Sequence, residues 1–67
     1  MNPEINNSHY GKRIRILKMG TLDPKPLQPG EEGTIVLVDD MLTIHVEWDS
    51  KRRLGLIPEM DEFELIE

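Results

Sequence analysis

The sequence predicts a single all-β domain built from five short strands. Three observations predict it: the chain has only 67 residues, apolar and polar side chains alternate along several short stretches, and turn-forming residues separate these stretches. A chain of this size buries only about 60% of the surface that its unfolded form exposes, so it has room for one core. A content of 37% apolar and 31% charged residues is typical of a folded chain rather than a disordered one.

Two segments are predicted to lie outside the strands. Residues 1–10 lack any sustained periodicity, so we predict that they form a flexible N-terminal tail and that residues 11–67 form the domain. Residues 19–32 contain three of the five prolines and two glycines. Because the interior of a strand or helix does not tolerate that density of proline, we predict a long Pro-rich loop there.

Five stretches carry the residue patterns of strands. In order along the chain, they are residues 12–18, 33–38, 43–48, 53–57 and 63–66. The first and third alternate cleanly between apolar and polar side chains, which is the period of a strand with one buried face. In the second, the apolar run from Ile35 to Val38 does not alternate. This predicts a bulge, which would let both odd-numbered and even-numbered residues of the strand reach the core. Residues 58–61 are typical of a short helical turn before the last strand.

The order of these elements predicts how the sheet is arranged. A long loop after the first of five short strands and a helical turn before the last are the arrangement of an SH3-like barrel. Curling such a sheet would bury a single cluster of apolar side chains. That cluster is predicted to contain Ile14, Ile16, Ile35, Val38, Ile44, Val46, Leu54, Leu56 and Phe63. A five-stranded OB-type barrel is the nearest alternative, but it needs longer strands.

Several short motifs stand in a set order along residues 11–67: Gly11-Lys-Arg-Ile-Arg-Ile, Pro29-Gly30-Glu-Glu-Gly33-Thr-Ile, Ile44-His-Val46-Glu-Trp48-Asp49, Leu56-Ile-Pro58 and Asp61-Glu-Phe63-Glu. In this order they resemble a small bacterial family of domains of unknown function that is frequent in phage-like and conjugative elements. The Gly-x-x-Gly-Thr and Val-x-Trp-Asp elements also resemble, more loosely, the KOW-type modules of translation and transcription factors. The family often has Asn-Gly after Trp-Asp, whereas this chain has the turn Asp49-Ser50-Lys51-Arg52. The resemblance implies the SH3-like fold and carries no activity, because a fold alone does not imply a function.

Residues able to carry out catalysis or bind a metal are few. The chain has no cysteine and two histidines, His9 in the predicted tail and His45 on the solvent side of the third strand. Asp39 and Asp40 are typical of a turn whose carboxylates bond to their own backbone. Catalysis needs a nucleophile with a base, paired carboxylates in a cleft, or a metal cluster. We therefore predict no catalytic site, no metal site and no cofactor, in a protein that is not an enzyme.

The net charge is −5, with 8 basic and 13 acidic residues, but the basic residues are clustered. In the predicted fold the first and last strands are neighbours, so Arg13 and Arg15 would face Glu62 and Glu64 across the ladder. Such pairing would explain both the basic first strand and the acidic end of the chain. The alternative is an exposed basic patch formed by Lys51, Arg52 and Arg53 with Arg13 and Arg15.

Trp48 is the only tryptophan, and it shares its parity with Ile44 and Val46. This parity favours a residue of the core or the barrel rim. The alternative is a half-exposed aromatic plate that contacts a ligand. The candidate binding residues are therefore Trp48, Lys51, Arg52, Arg53, Arg13 and Arg15.

We expect a non-catalytic binding or adaptor module whose partner is another protein. A nucleic-acid-associated module that uses the basic patch is the alternative, and the negative net charge disfavours it because phosphate binding depends on clustered Lys and Arg. No apolar run reaches the roughly 18–20 residues that span a bilayer, so we expect no membrane partner. The absence of cysteine fits a cytoplasmic protein, and we expect a monomer.

Overall fold

The computed structural model describes residues 2–20 and 24–66. It contains one 3₁₀ turn, Asn7–His9, and five strands. The strands are β1 (Arg13–Lys18), β2 (Glu32–Val38), β3 (Ile44–Trp48), β4 (Arg53–Leu56) and β5 (Glu62–Leu65). The prediction of an all-β domain with five strands is confirmed, and each strand begins and ends within one residue of its predicted position.

The five strands form one antiparallel sheet in the order β4-β3-β2-β1-β5. The predicted pairing of the first and last strands is confirmed, with Ile16 opposite Phe63 and Arg15 opposite Glu64. β4 and β5 are the two edges, and within residues 2–20 and 24–66 no ladder joins them. The sheet is therefore not closed, and a closed barrel is not confirmed.

One face of the sheet carries the core. Eight of the nine predicted core residues are buried, and the ninth, Leu54, is partly buried and packs against them. The core also contains Ile5, Leu27 and Trp48. The predicted bulge in β2 is confirmed: the register with β3 shifts between Ile35 and Leu37, so both Ile35 and Val38 are buried although their parity differs.

Residues before Gly11, predicted as a flexible tail, contact the sheet at three points. Ile5 is buried in the core. The side-chain amide of Asn7 accepts a hydrogen bond from the Val38 N–H (2.9 Å) and donates one to the Val38 carbonyl (3.0 Å), as a neighbouring strand would. Asn2 binds the backbone of Phe63 at the other end of the sheet. Residues 2–10 thus lie against the sheet in this structure.

Buried Asp61 ties together the connections at one end of the sheet. Its side chain is 1% exposed, and its two carboxylate oxygens accept hydrogen bonds from the Gly20 N–H (2.8 Å) and the Ile57 N–H (2.9 Å). The amides of Met60 and Asp61 both donate to the Ile57 carbonyl, which closes a single turn before β5. One carboxylate therefore positions both the end of β1 and the start of β5.

The described part of the predicted Pro-rich loop, residues 19–20 and 24–31, contains no helix and no strand beyond Lys18 and before Glu32. Residues 21–23 of that loop lie outside the described residues, so the loop as a whole stays a prediction. Leu27 anchors the described part in the core. No helix in the described ranges is long and apolar enough to cross a bilayer.

Candidate functional site

The face of the sheet opposite the core, which we call the outer face, carries the residues of functional interest. It is formed by Arg13, Arg15, Glu32, Thr34, Val36, Leu37, His45, Glu47, Arg53, Gly55, Glu62 and Glu64. Its side chains separate by chemistry. A charged half lies on β1, β5 and the start of β2, and an apolar half lies at the end of β2, where Val36 and Leu37 are close to Gly55 of β4.

Arg15 lies at the centre of the charged half between two carboxylates. Its guanidinium is 3.1 Å from Glu32 on β2 and 3.1 Å from Glu64 on β5. These hydrogen bonds, the one to Glu32 first, raise the pKa of Arg15 above its ordinary value because they favour the charged form. The predicted pairing of Arg15 with Glu64 is confirmed. Arg15 therefore joins three neighbouring strands across the outer face.

Arg13 has a different partner from the one predicted. Its guanidinium forms two hydrogen bonds with Asp49, Nη1 to Oδ1 at 2.9 Å and Nη2 to Oδ2 at 2.5 Å, and Nη1 also donates to Thr34 Oγ1 at 3.1 Å. The Asp49 hydrogen bond raises the pKa of Arg13, and the Arg13 hydrogen bond lowers the pKa of Asp49.

The predicted pairing of Arg13 with Glu62 is wrong. β1 and β5 are antiparallel, and a register shift between Ile16 and Lys18 places Lys18 opposite Glu62. Arg13 lies at the other end of β1, where its carbonyl accepts a hydrogen bond from the Ile66 N–H. The side chain of Arg13 therefore reaches towards the end of β3.

Three residues of the predicted basic patch, Arg13, Arg15 and Arg53, lie on the outer face. Lys51 is exposed on the turn after β3, while Arg52 donates a hydrogen bond to the Lys25 carbonyl. Arg53 lies on the outer face, 83% exposed and 3.7 Å from Glu47. Arg13, Arg15 and Arg53 each form an ion pair with a carboxylate, so acidic side chains lie among the basic ones on this face, and the basic patch stays a prediction.

Trp48 does not form a half-exposed plate. It is 1% exposed, and its indole N–H donates a hydrogen bond to the Leu54 carbonyl at 2.9 Å. The interpretation of Trp48 as a core residue is confirmed. Its buried ring joins β3 to the edge strand β4 and has no open face for a ligand.

The apolar half of the outer face holds a depression of about 270 Å³, which we call the Gly55 groove. It is lined by Val36, Leu37, His45, Val46, Arg53, Leu54 and Gly55. Gly55 leaves the space open: a Cβ there would lie 2.7 Å from the Thr43 methyl group, so no larger residue fits without movement. A second depression of about 480 Å³ adjoins it at Val36 and extends towards Lys51.

Exposed apolar side chains continue from this groove onto the β2–β3 turn. Leu37 is 49% exposed, Met41 is 87% exposed and Leu42 is 63% exposed. Sequence reasoning missed this surface. The signal was the unbroken apolar run of β2: the bulge that brings Ile35 and Val38 inwards leaves Val36 and Leu37 for the outer face.

Asp39 shapes the β2–β3 turn that presents Met41 and Leu42. One of its carboxylate oxygens accepts hydrogen bonds from the N–H groups of Met41 (2.9 Å) and Thr43 (3.0 Å), as predicted for a turn-forming Asp. The other accepts one from His45 Nε2 at 2.9 Å. The His45 hydrogen bond, followed by that from Thr43, lowers the pKa of Asp39 below its ordinary value. Leu42 has a φ of +66°, in the left-handed region.

These features define a small all-β domain with one open sheet whose outer face is divided into charged and apolar halves. The chain belongs to the family described as Domain of unknown function (DUF4314), whose family model matches residues 6–66. The predicted membership of a small domain-of-unknown-function family is thereby confirmed. No curated protein and no solved structure matches the chain. Within the described ranges, no group of three or more His, Asp or Glu side chains is arranged to hold a metal ion.

Proposed function

We propose that this domain is a non-catalytic binding module whose partner is another protein, and that it contacts this partner through the Gly55 groove and the adjoining β2–β3 turn. The observation that carries the proposal is the exposure of three apolar side chains, Leu37 in the wall of the groove and Met41 and Leu42 on the turn that follows β2. Contiguous apolar surface with a polar rim is typical of a protein–protein contact site. Here the rim consists of His45 and Arg53.

The backbone of the β2–β3 turn further supports this surface as a binding site. Leu42 has a left-handed conformation that normally favours Gly or Asn. Strained non-glycine residues of this kind cluster at functional sites. Asp39 holds the turn through its bonds to Met41 and Thr43, so the apolar side chains are presented on a braced scaffold. A braced turn loses little conformational freedom on binding.

The imidazole groups support a binding rather than a catalytic role. His9 Nδ1 accepts a hydrogen bond from the Asn6 N–H, and His45 is bound to Asp39. Both rings therefore take part in turns of the backbone. A chain without cysteine has no thiol nucleophile in their place.

The test is affinity capture from the source cell with matched variants. We expect wild-type protein to retain a defined partner, and the double variant Leu37→Ser/Met41→Ser to lose it. Met60→Ser is the matched control, since Met60 is exposed (50%) but lies on the turn before β5. Retention of the same partner by the double variant, with its fold verified by circular dichroism, would show that this surface is not the binding site.

A second candidate function is nucleic-acid binding through Lys51 and Arg53. The high exposure of Arg53 favours it. The carboxylates bound to Arg13 and Arg15 disfavour it, because they occupy the donors that would bind phosphate. Short RNA and DNA titrated at several salt concentrations decide the matter: nucleic-acid binding requires a log–log salt slope of about one per phosphate neutralised. Absence of binding at low salt excludes it.

The proposal includes three finer points that come from the sequence. The strand order, with the first strand between the second and the last, supports an SH3-like fold type for this sheet. The resemblance to domains of phage-like and conjugative elements supports a mobile-element setting. The absence of cysteine supports a cytoplasmic location, and we propose that the domain acts there as a monomer until it meets its partner.

A further inference from the structure

We propose that the partner binds by adding an extended segment to the edge strand β4, and that this segment alternates acidic residues on the outer face with apolar residues on the core face. This inference rests on the proposed protein-binding function and names the chemistry of the partner. Strand addition uses main-chain hydrogen bonds for affinity and alternate side chains for specificity. Three features of β4 and its surroundings carry the inference.

The first feature is the direction of the β4 backbone groups. The Trp48 N–H donates to the Arg52 carbonyl at 2.9 Å, so this pair is hydrogen-bonded. Hydrogen-bonded and non-hydrogen-bonded pairs alternate along an antiparallel ladder. In the β3–β4 register, the next hydrogen-bonded pairs are therefore Val46 with Leu54 and Ile44 with Leu56. The N–H and C=O groups of the intervening Arg53 and Gly55 point away from β3, towards the open edge.

The second feature is the contrast between the two edges of the sheet. At the β5 edge, the Asn2 side chain accepts a hydrogen bond from the Phe63 N–H (3.0 Å) and donates to the carbonyls of Pro58 (3.0 Å) and Asp61 (2.5 Å). Among the residues that the structure describes, no comparable hydrogen bond covers the backbone of Arg53 or Gly55. Proteins blunt exposed sheet edges, so an edge left open beside an apolar groove indicates a strand-accepting site.

The third feature is the charge and polarity along β4, which selects the occupant. On the outer face, Arg53 is 83% exposed and only loosely paired with Glu47, so a carboxylate opposite it is favoured. On the core face, Leu54 is only partly buried and would be covered by an apolar side chain. The next outer-face residue of β4 after Arg53 is Gly55, whose lack of a side chain leaves the groove accessible from the added strand.

The chain itself contains an example of the matching pattern. β5 pairs with the basic strand β1, and it places Glu62 and Glu64 on the outer face and Phe63 on the core face. β4, like β1, presents arginine on the outer face. A partner segment with the alternation of β5 therefore suits β4 in both charge and apolar contacts.

The experiment uses a synthetic peptide with the sequence of residues 61–66 and blocked ends, added to the full-length ¹⁵N-labelled protein. We expect amide shifts concentrated at Arg53 and Gly55, and about fivefold weaker binding by the same peptide carrying Glu62→Lys and Glu64→Lys. In the protein, Arg53→Gln should weaken binding of the unaltered peptide, while the matched control Lys12→Gln should not. Arg53→Pro should abolish binding, because it removes the outward N–H at the first position of an edge strand, where proline is tolerated.

The outcomes separate this inference from the proposed function. Shifts at Arg13 and Arg15, whose backbone groups face β5, would instead mean that the peptide replaces β5, and would overturn addition at β4. Concentration-dependent shifts at Arg53 and Gly55 without peptide would make a second copy the occupant, and would overturn a partner segment. If the peptide does not bind while capture of a partner still depends on Leu37 and Met41, strand addition fails and the proposed function stands. If that dependence is absent, the proposed function itself fails.

Discussion

Arg13 and Asp49 are 36 positions apart in the chain, yet their side chains form two parallel hydrogen bonds on the outer face of the sheet. This bidentate geometry is the strongest arrangement available to an arginine and a carboxylate. It connects the first residue of β1 to the turn between β3 and β4, across the intervening strand β2. The charged half of the outer face thus acts as a brace across the sheet.

The first prediction concerns the partners in this brace. Arg13→Ala and Asp49→Ala should each destabilise the fold modestly, and the double variant should cost less than the sum, because each single change removes the same contact. High salt should reduce the effect, since both side chains are exposed to screening. Urea unfolding of the four proteins measures the coupling. The pair Arg13 and Glu62 serves as the control and should show simple additivity, as the register separates them.

The second prediction concerns acid. The pKa values of Asp39 and Asp49 are lowered in the folded state by their bonds to His45 and Arg13. Their contribution to stability is therefore present above the unfolded-state pKa of about 3.9 and is lost as the pH falls through the lower folded-state values. Urea midpoints measured from neutral to strongly acidic pH should decline most steeply below about pH 4. Asp49→Asn should flatten this decline, whereas the exposed Asp40→Asn should leave it unchanged.

The third prediction concerns the face assignment of two neighbouring valines. Val46→Ala should cost about 2 kcal/mol, because it removes buried methyl groups and leaves a cavity. Val46 is 2% exposed. Val36→Ala on the outer face should cost much less, since Val36 is the bulge residue and only partly covered. Thermal unfolding by circular dichroism compares them, and equal midpoints for the two variants would contradict the register of β2 and β3.

The fourth prediction concerns the buried carboxylate. Asp61→Asn should destabilise the fold by about 1–3 kcal/mol, because an amide nitrogen would face one of two backbone N–H donors and leave it unsatisfied. Those donors are Gly20 and Ile57. Glu59→Gln makes the same change in charge on an exposed residue of the same turn and should be near neutral. A near-neutral Asp61→Asn in denaturant unfolding would mean that the carboxylate does not hold these segments.

The fifth prediction concerns the turn after β3. Lys51 has a φ of +74°, which favours glycine. Lys51→Gly should therefore stabilise the fold by up to about 1 kcal/mol. Glycine relieves the left-handed strain, and the greater conformational entropy of glycine in the unfolded chain offsets part of that gain. Ser50 does not have a positive φ, so glycine relieves no strain there. We therefore expect Ser50→Gly to destabilise the fold or to leave its stability unchanged. Unfolding midpoints of the two variants should move in these different directions; a lower midpoint for Lys51→Gly than for wild type would contradict the assignment.

The strands and most of the core were predictable because they depend on local periodicity. Alternation in residues 12–18 and 43–48 identifies a buried and an exposed face whatever the strand's neighbours are. The non-alternating run in β2 likewise predicted a bulge without a partner strand in view. The first and last strands were predicted to pair, and this correctly placed Arg15 beside Glu64.

The predictions were wrong or incomplete where a side chain binds a residue outside the strand pair to which it belongs. The antiparallel register of β1 and β5 puts Glu62 opposite Lys18, at the other end of β1 from Arg13, and Arg13 binds Asp49 across β2 instead; no periodicity encodes that register. Asn2 and Asn7 lie in a segment without a pattern, yet single amides satisfy backbone groups of distant residues. Asp61 resembles any turn aspartate in the sequence, and only the tertiary structure reveals its burial and its hydrogen bond with the distant Gly20.

The sequence by itself therefore determined the number of strands, their bounds and the buried face of the alternating strands β1 and β3, because these follow from backbone geometry over a few residues. Among the described residues, the tertiary structure alone decided that no ladder joins β4 to β5, and that Val36 and Leu37 form the wall of a groove rather than part of the core. These depend on strand order, register and the arrangement of distant side chains. Such properties arise from the sum of long-range contacts, which no local pattern of residues specifies.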